Sequence, residues 1–115
     1  MEQNNINDRL DDYKKFSIKY GEGIKSFDSE KANKYHKKLD SLYQEFKAAG
    51  ILELLKKFLS DEDDFVVINA AVGTLKIDEE TAVKALKRIM EKDNMASITA
   101  STCLMMWEDN ELELL

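Results

Sequence analysis

The stretch LSDEDDFVVINAAVGTL, residues 59–75, decides which fold the sequence predicts. Four consecutive acidic residues, at positions 61–64, precede a run of apolar and small residues. Carboxylates in this position are typical of a helix N-terminus, where they accept hydrogen bonds from free backbone N–H groups and oppose the positive end of the helix dipole. A calcium loop alternates its ligands and includes a glycine, and this stretch does neither. The pattern therefore predicts the start of a helix and no metal site.

The same organisation recurs about thirty residues later in the chain. Residues 55–75 align with residues 86–106 when one residue is dropped in the turn. The aligned pairs are Leu55 and Leu86, Phe58 and Ile89, Leu59 and Met90, Ile68 and Ile98, Ala70 and Ala100, and Leu75 and Met105. A period of this length corresponds to one helical hairpin, and stacked hairpins form an α-solenoid.

Composition and periodicity extend the helical prediction to the rest of the chain. The 115 residues include no proline and four glycines, and 43% are hydrophobic. Leu39, Leu42 and Phe46 fall on one face of a predicted helix over 28–49, which we expect to form part of the core. Gly50 suits the left-handed position after this helix. A shorter helix precedes it and is expected to break near Gly21, and residues 51–59 form another short helix.

These elements predict one all-α domain over residues 1–115, a short α-solenoid of about six helices. We divide it into an N-terminal helix and break (1–27), helical hairpin repeats (28–107) and an acidic tail (108–115). The tail, WEDNELELL from Trp107 onward, alternates acidic residues with leucines. It either caps the open end of the solenoid or binds a partner, and capping is the preferred interpretation.

The opening stretch resembles a HEAT repeat, with its Leu, Asp, turn, valine pair, Ala-Ala and Leu, although Val67 replaces the usual Arg. Together with IKSFDSEKANKYHKKLDSLYQEFKAAG (24–50) and Trp107, it resembles a bacterial domain-of-unknown-function family, the one numbered twenty-nineteen, over residues 20–107. This resemblance implies a small HEAT-like helical domain with no assigned reaction. Some small proteins of this general type are encoded beside toxins as immunity partners.

Residue types that carry catalysis are scarce. Cys103 is the one cysteine, which excludes an internal disulfide and a cysteine-based zinc site, and it is expected to be a small buried hydrophobe. His36 is the one histidine, and its spacing places no nucleophile or second carboxylate beside it. We therefore predict that the protein is not an enzyme and needs no cofactor and no metal.

Charge and hydropathy bear on location and partners. The N-terminus is polar and acidic without the apolar region of a secretory signal, and no apolar run reaches the length that crosses a bilayer, so a cytoplasmic protein is expected. The net charge of −6 is uneven. Residues 1–57 hold 12 basic and 10 acidic residues, whereas residues 58–115 hold 5 and 13.

Five basic residues form the candidate binding site, a set that we call the basic ladder. They are Lys56, Lys57, Lys84, Lys87 and Arg88. Lys56 and Lys57 align with Lys87 and Arg88 in the repeat, and Lys84 lies one turn before Arg88. The second helices of HEAT hairpins line the concave surface of the solenoid, so these side chains could form one basic patch facing an acidic partner. The competing interpretation is an ordinary solvated helix face.

The sequence thus favours a non-enzymatic protein-interaction module, with neutralisation of a toxin as its most concrete form. The alternative is a nucleic-acid-binding HEAT-like protein that uses the basic ladder, against which the acidic C-terminal half counts. Partner identity and the choice between monomer and dimer stay open.

Overall fold

The computed structural model describes residues 3–112, and the regular secondary structure in that range is all helical. Five α-helices are α1 (Gln3–Lys25), α2 (Ser29–Ala48), α3 (Asp64–Thr74), α4 (Glu79–Met90) and α5 (Met95–Glu108). A 3-10 helix spans Leu52–Ser60, between α2 and α3. The predicted all-α class and number of helices are confirmed over the described residues. The chain divides into two compact units between Leu52 and Glu53.

The first unit is the hairpin of α1 and α2, whose apolar faces pack together. Leu39, Leu42 and Phe46 are buried, which confirms their predicted place in the core. Phe46 is fully enclosed, and its ring centroid lies 6.0 Å from that of Tyr13 on α1. Burial raises the pKa of the Tyr13 hydroxyl, with a smaller contribution from Tyr43, so Tyr13 is a neutral core residue.

Helix α1 continues through the glycines at which a break was predicted, so that prediction is wrong. Residues Gly21 and Gly23 are both helical and buried. A Cβ atom on Gly23 would lie 2.7 Å from the backbone nitrogen of Ala32 on α2. Gly23 therefore allows the two helices to approach closely because it has no side chain. From the sequence alone, a glycine needed for packing cannot be distinguished from one that breaks a helix.

Three helices end with a residue in the left-handed conformation. Phe27 follows α1 with φ 57°, Gly50 follows α2 with φ 70°, and Asn110 follows α5 with φ 59°. After α2, the N–H of Ile51 donates to the Phe46 carbonyl at 2.9 Å, which is the six-residue bond of a Schellman motif. The predicted role of Gly50 is confirmed.

The second unit contains α3, α4 and α5, together with all but the first residue of the 3-10 helix. Helix α3 packs against α4 and α5, and α4 packs against α5. The Asp63 carboxylate caps α3, accepting from the N–H groups of Phe65 at 2.9 Å and Val66 at 3.1 Å. The acidic run thus begins a helix, as predicted. Asp78 caps α4 and Asn94 caps α5 in the same way.

No group of three or more His, Cys, Asp or Glu side chains within residues 3–112 is arranged to hold a metal ion. None of the helices in that range is both long and apolar enough to span a membrane.

Candidate functional site

A groove of about 660 Å³ lies beside α4 and α5 in the second unit. Charged side chains of both signs line it, together with one large aromatic ring. The lining residues include Glu79, Glu80, Lys84, Lys87, Trp107 and Glu108. Two members of the basic ladder, Lys84 and Lys87, therefore share one groove.

A hydrogen bond orients Trp107 in this groove. Its indole Nε1 donates to the Glu79 Oε2 atom at 2.8 Å, and the side chain remains partly exposed. Glu79 occupies the first turn of α4, where a carboxylate opposes the helix dipole. Trp107 occupies the last turn of α5. The bond ties these two helix ends together and presents an orientated aromatic surface to solvent.

Arg88 makes a contact within the protein that the sequence pattern did not predict. Its guanidinium donates through Nη2 to the carbonyl of Leu59, near the end of the 3-10 helix. Carbonyls at a helix C-terminus lack intrahelical partners, so a basic side chain is suited to satisfy one of them. Arg88 and Lys84 also line a second cavity of about 340 Å³ with Leu59.

Lys56 forms ion pairs with carboxylates of the protein itself. Its Nζ lies 2.8 Å from Asp78 Oδ2 and 3.7 Å from Glu53 Oε1. The hydrogen bond to Lys56 is the main cause that lowers the pKa of Asp78, and the same bond raises the pKa of Lys56. Lys57 is exposed, with its Nζ 5.1 Å from the centroid of the neighbouring Phe58 ring.

The structure thus divides the basic ladder by role. Lys84 and Lys87 stand in the groove, whereas Lys56 and Arg88 join the 3-10 helix to α4. All five residues lie on the first helix of a predicted hairpin, either the 3-10 helix or α4, so their expected place on the second helices is wrong. Sequence reasoning missed Glu79 and Trp107 as site residues. The available signal was the one tryptophan of the sequence, near the end of a helix that has no charged residue before Glu108.

A second cluster, basic and aromatic, lies on the hairpin of α1 and α2. The Phe16 and Tyr35 ring centroids are 5.8 Å apart. Lys38 Nζ lies 5.3 Å from the Phe16 centroid, and Lys34 Nζ lies 5.4 Å from that of Tyr35. Residues 14–38 carry eight lysines against three acidic residues. We call Phe16, Lys34, Tyr35 and Lys38 the aromatic-lysine cluster.

The lone histidine and the lone cysteine lie in different surroundings. His36 is exposed, and its ring centroid lies 6.2 Å from that of Tyr20. Cys103 lies on α5, where burial raises the pKa of its thiol to about 11. At neutral pH this thiol is protonated and is therefore a poor nucleophile.

Comparison with known proteins adds no relative to this description. No protein-family model matches the chain, and neither the curated proteins nor the solved structures contain a match.

Proposed function

We propose that the protein is a recognition module that binds another protein through the groove beside α4 and α5. The observation that carries this proposal is the orientated, partly exposed Trp107, hydrogen-bonded to Glu79 and flanked by Lys84 and Lys87. Tryptophan is enriched among the residues that dominate binding energy at protein interfaces, and surrounding charges set specificity and association rate.

The finer version of this proposal is a bacterial immunity protein that neutralises a toxin in the cytoplasm. It rests on the resemblance to the family numbered twenty-nineteen and on the HEAT-like stacking that the thirty-residue repeat predicts. The capped starts of α3 and α5, at Asp63 and Asn94, support a repeated hairpin in the second unit. Identification of a toxin gene beside this one, with protection on co-expression, tests this version directly.

Charge in the groove favours a protein over a nucleic acid as its ligand. Glu79, Glu80 and Glu108 line the groove with the two lysines. A phosphate backbone would be repelled by these carboxylates, whereas a protein surface can present both signs of charge. Two further cations of the basic ladder, Lys56 and Arg88, already have partners within the protein.

The aromatic-lysine cluster supports a second candidate function, binding of single-stranded nucleic acid by the hairpin of α1 and α2. Bases stack on aromatic rings while lysines neutralise phosphates, and the local excess of lysine suits such a ligand. This candidate differs from the sequence-based alternative because it uses α1 and α2 rather than the basic ladder.

Affinity purification with matched variants tests the groove. Tagged protein is expressed in the source organism, and copurifying proteins are quantified by mass spectrometry. We expect a specific partner with the native chain and with Lys34→Glu/Lys38→Glu, and its loss with Lys84→Glu/Lys87→Glu. Trp107→Ala should weaken binding of that partner at least about tenfold, and Trp107→Phe less. Equal recovery with all variants would contradict the proposal.

Fluorescence anisotropy with labelled single-stranded DNA and RNA tests the second candidate. Binding by the hairpin should fall steeply with salt and should be lost in Lys34→Glu/Lys38→Glu but kept in Lys84→Glu/Lys87→Glu. If both variants bind like the native chain, or if the native chain binds neither oligonucleotide, this candidate is wrong.

A further inference from the structure

Among residues 3–112, the second cavity, of about 340 Å³, is lined by two cations and by no carboxylate. Its lining residues are Leu59, Thr81, Lys84, Ala85 and Arg88. The last four follow one another on α4 at spacings of three, one and three residues, so they share one face of that helix. Leu59 lies near the end of the 3-10 helix, the other element beside the cavity. A concave surface with two positive charges and no negative one is suited to an anion.

Arg88 keeps its charge and most of its hydrogen-bond donors. Its Nη2 atom donates to the Leu59 carbonyl, which is a neutral group, so this bond orients the guanidinium without neutralising it. A guanidinium has several N–H donors in a planar fork that matches the two oxygens of a carboxylate. Because the side chain is already ordered in the folded protein, binding of an anion does not have to order it again.

The acidic residues nearest in sequence leave both cations available. Glu80 lies one turn before Lys84, Glu91 lies three residues after Arg88, and Asp61 follows the 3-10 helix. None of these three lines the cavity. Within residues 3–112, neither Lys84 nor Arg88 forms an ion pair with any carboxylate. A carboxylate brought by a ligand would therefore meet two cations that have no competing anion.

Thr81 and the apolar lining complete the cavity. The N–H of Thr81 donates to Asp78 Oδ1 at 3.3 Å, and Asp78 itself pairs with Lys56 at 2.8 Å. This carboxylate is thus engaged within the protein, and the Thr81 hydroxyl can donate to an oxygen of the ligand. Leu59 and Ala85 are buried residues that can contact an aliphatic group attached to that oxygen-bearing head.

We propose that the second cavity is a carboxylate-binding pocket that takes an acidic residue of the partner protein, an inference that rests on the proposed function. Lys84 lines both this cavity and the groove, so a chain seated against Trp107 has the pocket beside it along α4. A singly charged carboxylate suits the pocket better than a phosphate, because Glu79 and Glu80 in the first turn of α4 would repel the second charge. The carboxylate is either an acidic side chain of the partner or its C-terminus.

Titration of the isotope-labelled native chain with small carboxylates, followed by NMR, tests the pocket. One probe is N-acetylglutamate α-amide, which has only a side-chain carboxylate, and the other is N-acetylleucine, which has only a terminal one. N-acetylglutamine α-amide is the neutral control. We expect saturable shifts of the Thr81 and Ala85 amides with the carboxylates and none with the neutral amide. The tighter probe identifies the source of the carboxylate.

Variants assign the binding to the two cations. Lys84→Met should weaken the tighter probe at least about tenfold, because a charge-assisted hydrogen bond is lost. Arg88→Lys, which keeps the charge but loses the fork, should also weaken it. The control Lys87→Met, whose position lines the groove and not the pocket, should bind like the native chain. Circular dichroism establishes that each variant is folded.

No saturable shift with either carboxylate, equal shifts with the neutral amide, or an unchanged affinity in Lys84→Met would overturn the inference. Lys84→Met removes no ion pair within residues 3–112, so this result does not depend on how Arg88→Lys folds. The titration needs no partner. Its failure is therefore distinct from equal recovery of proteins by all variants in the copurification experiment, which would contradict the proposed function instead.

Discussion

At the scale of single residues, Phe27 is held in a conformation that its side chain does not favour. Its φ is 57°, and 82% of its surface is exposed. The N–H of Asp28 donates to the Gly23 carbonyl at 2.8 Å, so the left-handed residue belongs to the Schellman motif that ends α1. The backbone strain at Phe27 is thus tolerated because it satisfies carbonyls at the end of the helix.

Phe27→Gly should therefore stabilise the protein. Removing the left-handed strain favours the folded state, and the greater freedom of glycine in the unfolded chain offsets part of the gain, leaving about 0.5–1 kcal/mol. Urea denaturation measures the change. The control Phe27→Ala keeps a Cβ atom and should show no such gain. A loss of stability in Phe27→Gly would mean that the exposed ring makes a stabilising contact.

The ion pair between Lys56 and Asp78 predicts a pH dependence with a definite sign. The folded-state pKa of Asp78 is lowered, so its contribution is present above the ordinary carboxyl range and lost as pH falls through the folded pKa. The pKa of Lys56 is raised, so its contribution persists until alkaline pH exceeds that value. Asp78→Asn retains helix-capping ability but loses the charge.

Asp78→Asn should consequently be less stable than the native chain near neutral pH, and this difference should shrink as the solution becomes more acidic than the carboxyl pKa. Urea denaturation of both proteins at several pH values measures it. A difference that stays constant into strong acid would show that the ion pair does not stabilise the fold.

At the scale of helices, sequence periodicity predicted those helices that bury one apolar face and expose the other. Helix α2 and its core residues follow from the apolar stripe, and the acidic run correctly located the start of α3. The continuation of α1 could not be predicted, because Gly23 is required by the backbone of Ala32, a contact between helices that local sequence does not display. The role of Arg88 likewise depends on a distant carbonyl, that of Leu59.

Gly23→Ala tests whether the close contact with Ala32 or the higher helix propensity of alanine has the larger effect on stability at this position. Alanine favours a helix over glycine by about 1 kcal/mol, but its Cβ would lie 2.7 Å from the Ala32 nitrogen. The Ala32 backbone cannot move aside as a flexible side chain can. We therefore expect the free energy of unfolding, measured by thermal or urea denaturation, to fall by about 1–3 kcal/mol. The exposed control Lys15→Ala should change stability by less than about 0.5 kcal/mol. A more stable Gly23→Ala would contradict the close packing of α1 on α2.

At the scale of the whole molecule, the basic ladder illustrates what a sequence pattern can and cannot locate. The repeat aligned Lys56 and Lys57 with Lys87 and Arg88, and Lys84 precedes Arg88 by one turn. Of these residues, Lys84 and Lys87 line the groove together. The pattern could not show that Lys56 and Arg88 are engaged internally, or that Trp107 and Glu79 complete the groove. Reversing Arg88 would therefore disturb stability as well as binding, so Lys84 and Lys87 are the cleaner positions to vary.

Site-specific photo-crosslinking in cells of the source organism tests the central claim most directly. A benzophenone amino acid is placed at position 87 in the groove, and at the exposed position 37 on α2 as the control. The proposal predicts a discrete crosslinked protein at position 87, absent at position 37 and lost when Trp107→Ala is added. No protein adduct at position 87, or the same adducts at both positions, would contradict recognition through the groove.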